Sequence, residues 1–323
     1  MLTDKFDRDI KYVRLAVTDR CNLRCTYCMP EMMKFVNKDR LLSFEEMLRV
    51  VRILAENGVE KVRITGGEPF VRKGLMDFLT ELVKIEGIKK VGITSNGVLL
   101  EEYLDQLKNI GITDINLSLD ATTQHKFFEI TRRDDFDKVY SSLEQMITKG
   151  FKVKINMVVM EGKNTEEIVP LAKYALKWPV EVRFIEEMPF NGTGKEVSKS
   201  WNHLDIEKVL IDSFIGLEKV SSHKSNTAQI YKSSILKGSL GIIPAFSRTF
   251  CGTCDRLRIT SLGEIRNCLY SESGLNVRDL LRSDLGDQDI ADSIQGHLLL
   301  KKKSGWEEEK KNKNLDSMSM IGG

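Results

Sequence analysis

Val17-Thr18-Asp19-Arg20-Cys21-Asn22-Leu23-Arg24-Cys25-Thr26-Tyr27-Cys28-Met29-Pro30 is the stretch on which the fold and chemistry of this chain turn. It closes a short apolar strand, Tyr12–Val17, and opens a polar, arginine-rich loop with cysteines at spacing C-x3-C-x2-C. Three thiolates on a tight loop can grip three irons of a cubane [4Fe–4S] cluster and leave the fourth iron open to a substrate. A structural zinc site asks for four closed ligands with paired C-x2-C spacing, and no fourth Cys or His lies nearby. A redox C-x2-C pair leaves Cys21 without a purpose. Cysteines acting as small buried hydrophobes do not explain three within eight residues of such a loop.

Outward from this loop, one unit repeats: apolar strand, loop, amphipathic helix, glycine, next strand. The strands are Tyr12–Val17, Lys61–Thr65, Lys90–Thr94, Asp114–Leu119, Lys152–Val159 and Glu181–Ile185, short and apolar as buried parallel strands are. Between the first two, Ser43 and Glu46 stand in capping-box relation. Phe44, Met47, Leu48, Val51, Leu54 and Ala55 then fall on one helix face, and Gly58 ends it. Gly111 and Gly150 hold the equivalent place in later units. Six such units with right-handed crossovers predict an α/β fold, an incomplete parallel (β/α)6 barrel. Chemistry in that architecture sits at the carboxyl ends of the strands. There stand the cysteine loop, Gly66-Gly67-Glu68-Pro69, Thr94-Ser95-Asn96 and Ser118-Leu119-Asp120.

From about residue 190 the regularity fades, starting with the loop Pro189-Phe190-Asn191-Gly192-Thr193-Gly194. The expected division is a barrel core over 4–225 and a C-terminal domain over 226–323. Lys301–Lys313 is a charge run that reads as solvated. No solenoid-type repeat is present.

Bulk properties narrow the class. The 323 residues, 41% hydrophobic and 30% charged, describe a globular protein with one large α/β domain plus an appendage. No apolar run is long enough to span a bilayer, and the charged start lacks the apolar core of a signal peptide, so a cytoplasmic location is expected. In that compartment six cysteines are thiols or metal ligands rather than disulfides. A net charge of +2 argues against a polyanion-binding module, and no helix-turn-helix, basic stripe or stacking pattern points to nucleic acid.

Cys251, Cys254 and Cys268 make a second triplet, C-x2-C-x13-C, which leaves no cysteine over. Two clusters is the economical reading, with a zinc ribbon short of one ligand as its rival. Arg256-Leu257-Arg258 follows the cysteine pair; extended backbone puts both guanidinium groups on one face, suited to phosphate or carboxylate. In Gly66-Gly67-Glu68-Pro69 the glycines admit close backbone approach, and Glu68 reads as a ligand contact. His125, His203, His223 and His297 keep no metal-ligand or triad-like company and read as surface or packing residues.

The C-x3-C-x2-C loop with Tyr27, followed by Gly66-Gly67-Glu68-Pro69, resembles the radical S-adenosylmethionine superfamily. There the open iron chelates S-adenosylmethionine, which is cleaved to a 5′-deoxyadenosyl radical. Val17–Pro30, Phe250-Cys251-Gly252-Thr253-Cys254-Asp255-Arg256-Leu257-Arg258 and the terminal Met320-Ile321-Gly322-Gly323 together resemble, within it, the GTP 3′,8-cyclase family of molybdenum cofactor biosynthesis, across essentially the whole chain.

That resemblance implies two [4Fe–4S] clusters, S-adenosylmethionine on the N-terminal one and GTP on the C-terminal one. By it, Tyr27, Gly67, Ser118 and Met188 touch S-adenosylmethionine, while Arg14, Arg63, Thr94, Lys154, Arg256, Leu257 and Arg258 touch GTP. It further implies hydrogen abstraction at ribose C3′, closure onto guanine C8, and a Gly-Gly tail reaching into the active site. An external electron donor, a downstream cyclic pyranopterin synthase and a monomer or homodimer complete what it implies. The chain departs from the family's pattern in Asp316-Ser317-Met318, where an arginine or similar polar residue is expected, and in the Lys- and Glu-dense Trp306–Asn314. A peptide-modifying radical enzyme with an auxiliary cluster is the competing reading.

Overall fold

Short apolar runs bounded by turns become strands, each within one residue of its expected limits: β1 (Tyr12–Ala16), β2 (Lys61–Thr65), β3 (Lys90–Ser95), β4 (Asp114–Ser118), β5 (Lys152–Val159) and β6 (Glu181–Glu186). The computed structural model describes residues 1–194, 201–221, 226–272, 274–309 and 317–322. The boundary expected at 225/226, His223, residues 310–314 of the charged stretch, Asp316 and Gly323 fall wholly or partly outside these.

The six strands pair in parallel in chain order. Parallel neighbours need a crossover, supplied by helices such as Phe44–Glu56, Leu75–Leu82 and Phe136–Thr148. The first of these starts as its sequence demands: Glu46 N donates to Ser43 Oγ at 3.1 Å and Ser43 N to Glu46 Oε2 at 2.7 Å. Its buried face, Met47, Val50, Val51, Ile53, Leu54 and Ala55, joins one core with Val13, Leu15, Val62 and Ile64 of the sheet. The chain leaves the helix through Gly58 at φ +96, a conformation that costs glycine nothing.

The later strands are β7 (Glu218–Val220), β8 (Gln229–Lys232), β9 (Ser239–Ile243), β10 (Arg256–Ile259), β11 (Glu264–Arg266) and β12 (Leu275–Asn276). They do not make a sheet of their own. The order is β12-β11-β10-β1-β2-β3-β4-β5-β6-β9-β8-β7, an open sheet in which β9 runs parallel to β6 and β10 parallel to β1. The (β/α)6 core is thus widened to eight consecutive parallel strands, with antiparallel strands at both margins. Among the described residues no helix is long and apolar enough to cross a membrane.

Candidate active site

Alternation along the strands gives each one a second face, and these faces line a cavity of about 560 Å³. Tyr12 and Arg14 of β1, Lys61 and Arg63 of β2, Thr94 of β3, Asn116 and Ser118 of β4, Lys154 and Asn156 of β5, Arg183 of β6, and Arg256 and Arg258 of β10 all face it. So do all six cysteines. Cys21, Cys25 and Cys28 follow the carboxyl end of β1. Cys251 and Cys254 precede β10, whose Arg256 stands opposite Tyr12 at the amino end of β1. The two triplets therefore occupy opposite mouths of the sheet's interior, separated by a strand about 13 Å long. The carboxyl ends bring the first triplet together with Gly67, Asn96 and Ser118 at the cavity, as expected, but not the second triplet. The second closes the other mouth, because its strand joins β1 from the far end of the chain.

At the first mouth, Leu23 N donates to Cys21 Sγ at 3.4 Å, and Cys28 N and Met29 N both donate to the Cys25 carbonyl, folding the loop tightly. Burial pushes the Cys21 thiol up to about 11 and Cys28 to about 12, with the neighbouring thiols adding to the effect at Cys25 and Cys28. Tyr27 donates its hydroxyl to Asp120 Oδ2 at 2.9 Å, and Asp120 Oδ1 accepts from Val158 N at 2.8 Å. Burial raises Asp120 to about 6. Gly67 lies against the cysteine loop so closely that a Cβ there would stand 2.7 Å from the Asp19 carbonyl.

At the second mouth, burial alone would raise Cys254, but Arg256 and Lys301 outweigh it and hold the thiol down to about 6. Cys268 is pushed up by burial and by the nearby Cys254 and Cys251. Alternation does put Arg256 and Arg258 on the cavity face. Leu257 between them is fully buried in the apolar core, so only its main chain is on offer to a ligand.

Tyr27, Gly67, Ser118, Met188, Arg14, Arg63, Thr94, Lys154, Arg256 and Arg258 are all brought to this one cavity. Arg63 and, beside this set, Glu68 are held by partners within the protein. Arg63 donates to Asp114 Oδ1 at 2.6 Å and to the Ile93 carbonyl at 3.0 Å, in space that the bare Gly92 leaves for it. Glu68, expected to meet a ligand, instead braces two loops: its carboxylate accepts from Asn96 N at 2.6 Å, Ser95 Oγ at 3.0 Å and Phe70 N at 3.2 Å. It is 1% exposed and raised to about 7 by burial. His125 is exposed and His203 sits beside Glu186 and Ser247, away from the cavity's lining.

Asn116 and Asn156 carry no motif, yet their Oδ1 atoms and Thr94 Oγ1 are buried at the cavity without a protein partner among the described residues. Buried polar atoms are rarely left so, and a polar ligand between β3, β4 and β5 would satisfy them. Their signal in the sequence is a polar residue at alternate positions of an otherwise apolar strand, as in Lys154-Ile155-Asn156.

The donor set fits two cubanes. All six thiols are free. Among the described residues no three His, Cys, Asp or Glu side chains gather closely enough to share one ion. A cubane does not ask for that, since each of its cysteines meets a different iron. Cys21, Cys25, Cys28 and Cys268, buried thiols that resist ionisation, are what bound metal would stabilise as thiolates, and Cys254 is already favoured as one by Arg256 and Lys301.

Residues 15–175 match the Radical SAM superfamily and residues 180–306 the Molybdenum Cofactor Synthesis C family. A GTP 3′,8-cyclase of Thermodesulfovibrio yellowstonii is 39% identical, with 100% of both chains covered. Molybdenum cofactor biosynthesis protein 1 of Dictyostelium discoideum is 38% identical over 100% of this chain and 52% of its own length. The chain thus spans about half the length of curated relatives of that kind. Among solved structures, Streptococcus suis SuiB bound to S-adenosylmethionine superposes with a TM-score of 0.63 at 18% identity, covering 90% of this chain and 68% of that one. That likeness extends to the fold alone.

Proposed function

The chain belongs to the GTP 3′,8-cyclase family of the radical S-adenosylmethionine superfamily, and from that membership we propose that it cyclises GTP to (8S)-3′,8-cyclo-7,8-dihydroguanosine 5′-triphosphate, the first step of molybdenum cofactor biosynthesis. One observation carries this reading: a single cavity has a cysteine triplet at each mouth and Arg14, Lys154, Arg256 and Arg258 between them. A triphosphate is the kind of anion such a wall is built to hold.

Cys21, Cys25 and Cys28 would hold the cluster that takes S-adenosylmethionine, and Cys251, Cys254 and Cys268 the cluster that takes the purine. Bound there, these groups supply a low-potential electron and, through S-adenosylmethionine, a hydrogen-abstracting radical. The protein supplies position. Tyr27, oriented by Asp120, Gly67, Ser118 and Met188 would seat S-adenosylmethionine; Arg14, Lys154, Arg256 and Arg258 would fix the phosphates, with Thr94 beside them. Arg63, locked to Asp114, would serve as part of the positive wall more than as a mobile phosphate ligand. Leu257 would meet the guanine through its main chain. Holding C3′ and C8 within reach and shutting out water is the enzyme's share of the barrier.

The reading further requires an external electron donor and a cyclic pyranopterin synthase to consume the product. The six free thiols support a cytoplasmic setting. The test is anaerobic: reconstituted protein, S-adenosylmethionine and reductant are incubated with GTP or with peptides. A yield of 5′-deoxyadenosine that depends on GTP is expected, and a yield that depends on peptide instead would sink the proposal. In parallel, Cys251→Ala, Cys254→Ala, Cys268→Ala should lose about half the iron.

A further inference from the structure

Arg248 has a conformation and surroundings that its place in the chain does not demand. Its φ is +55, in the left-handed region that favours glycine, and its side chain is only 1% exposed. The guanidinium lies between two ring faces, 3.5 Å from the Tyr270 centroid and 3.9 Å from that of Trp306. Nη2 donates to Glu309 Oε2 at 2.6 Å. Nε and Nη1 are buried without a hydrogen-bond partner among the described residues, and Arg248 lines the cavity together with Cys251 and Cys268.

The neighbours tie it to the second triplet. The Arg248 carbonyl accepts from Cys251 N at 3.3 Å, and Tyr270, which stacks on it, stands two residues beyond Cys268. A buried guanidinium with unmet donors is costly unless an acceptor is there to take them. Thiolate and sulfide are the acceptors this mouth of the cavity calls for. Hydrogen bonds to sulfur and local positive charge both favour the reduced state of an iron–sulfur cluster.

We infer that Arg248 is a positioning residue for the cluster at Cys251, Cys254 and Cys268, giving its two unused N–H donors to the sulfur atoms there and raising that cluster's reduction potential, while Glu309 tempers its charge from behind. This rests on the reading of those three cysteines as cluster ligands.

The test is an anaerobic redox titration of the reconstituted full-length protein without GTP. Low-temperature electron paramagnetic resonance follows it, and the signal that S-adenosylmethionine shifts identifies the first cluster. Arg248→Met should lower the reduced-to-oxidised ratio of the second cluster at a fixed poise by roughly tenfold, which is about 59 mV for one electron. Glu309→Gln should move the same ratio up, because the guanidinium then stands uncompensated. Opposite shifts in the two variants, with the first cluster unmoved, are not what mere loss of packing would give. Unchanged ratios, shifts in the same direction, or a shift that appears only after GTP is added would overturn the assignment. If Arg248→Met holds no iron at the second site, Glu309→Gln decides alone: a rise supports the role and anything else overturns it. Absence of any second cluster in the unaltered protein would overturn the ligand reading itself, and this inference with it.

Discussion

Arg258 donates from Nη1 to the carbonyl oxygen of Gly322 at 2.8 Å, so Gly322 lies against a guanidinium that also faces the cavity. The segment enters past the first triplet, where Met318 N donates to the Cys28 carbonyl at 3.1 Å and the Phe190 carbonyl at 2.9 Å. It reaches the second with Ile321 packed on Phe190 and Tyr270. Burial and the like charges of Arg14 and Arg256 press the Arg258 guanidinium down to about 9, a strain that a bound polyanion relieves. Arg258→Met is expected to weaken GTP binding roughly tenfold or more, as loss of a charge-assisted hydrogen bond does. It should also loosen the tail. Equilibrium dialysis and carboxypeptidase digestion check the two effects, and an unchanged Kd would dismiss the contact.

Tyr12 offers a report on the same cations. Burial acts to raise its phenol, but Arg14, Arg63 and Lys61 prevail and bring it down to about 8. Phosphates lodged among those groups would cancel their pull. Absorbance of the phenolate should therefore titrate near pH 8 in nucleotide-free protein and at higher pH with GTP bound, and the signal should vanish in Tyr12→Phe. A titration that GTP leaves in place would put the triphosphate elsewhere.

Asp114 anchors the base of the cationic wall. Its carboxylate lies 2.6 Å from both Arg63 and Lys90 and 3.4 Å from Lys154. Burial opposes ionisation, but these cations hold the group well below the usual carboxylate range. Because the folded value is depressed, its contribution is fully present above the unfolded value of about 3.9 and is lost as pH falls below it. Asp114→Asn should thus cost about 3–5 kcal/mol at pH 7. Urea unfolding should show the gap between variant and parent narrowing below pH 4; a gap of equal size at pH 3 would contradict the linkage.

A methyl group at Gly67 would overlap the carbonyl of Arg20 and press on that of Asp19, just ahead of Cys21. Backbone has little room to yield there. Gly67→Ala is expected to cost about 1–3 kcal/mol and to strip iron from the first site while sparing the second. Iron and sulfide assays of the variant, with the triple substitution at Cys251, Cys254 and Cys268 for comparison, separate the two. Full iron retention would show that the loop accommodates a Cβ.

Much of this was written locally in the sequence. Strand limits followed from apolar runs and the Phe44–Glu56 helix from the Ser43–Glu46 capping pair, and cysteine spacing singled out the two loops whose thiols line one cavity. Long-range pairing was not. Nothing in Arg256–Ile259 announces β1 as its neighbour, so the second mouth of the cavity could not be placed. The partner that occupies Arg63 is Asp114, far away in the chain, and no spacing rule links them. Glu68 carries a motif's name but its carboxylate is consumed by the amides of Phe70 and Asn96, a geometry that only the folded loops reveal.

The pairing of β1 with β10 also has a bearing on biogenesis. One flank of β1 keeps bare amides and carbonyls until Arg256–Ile259, far downstream in the chain, has been made. Nascent or prematurely terminated chains therefore present a sticky margin. Cys251, Cys254 and Cys268 lie around β10 and β11, so they reach their places at the cavity only once that margin is covered.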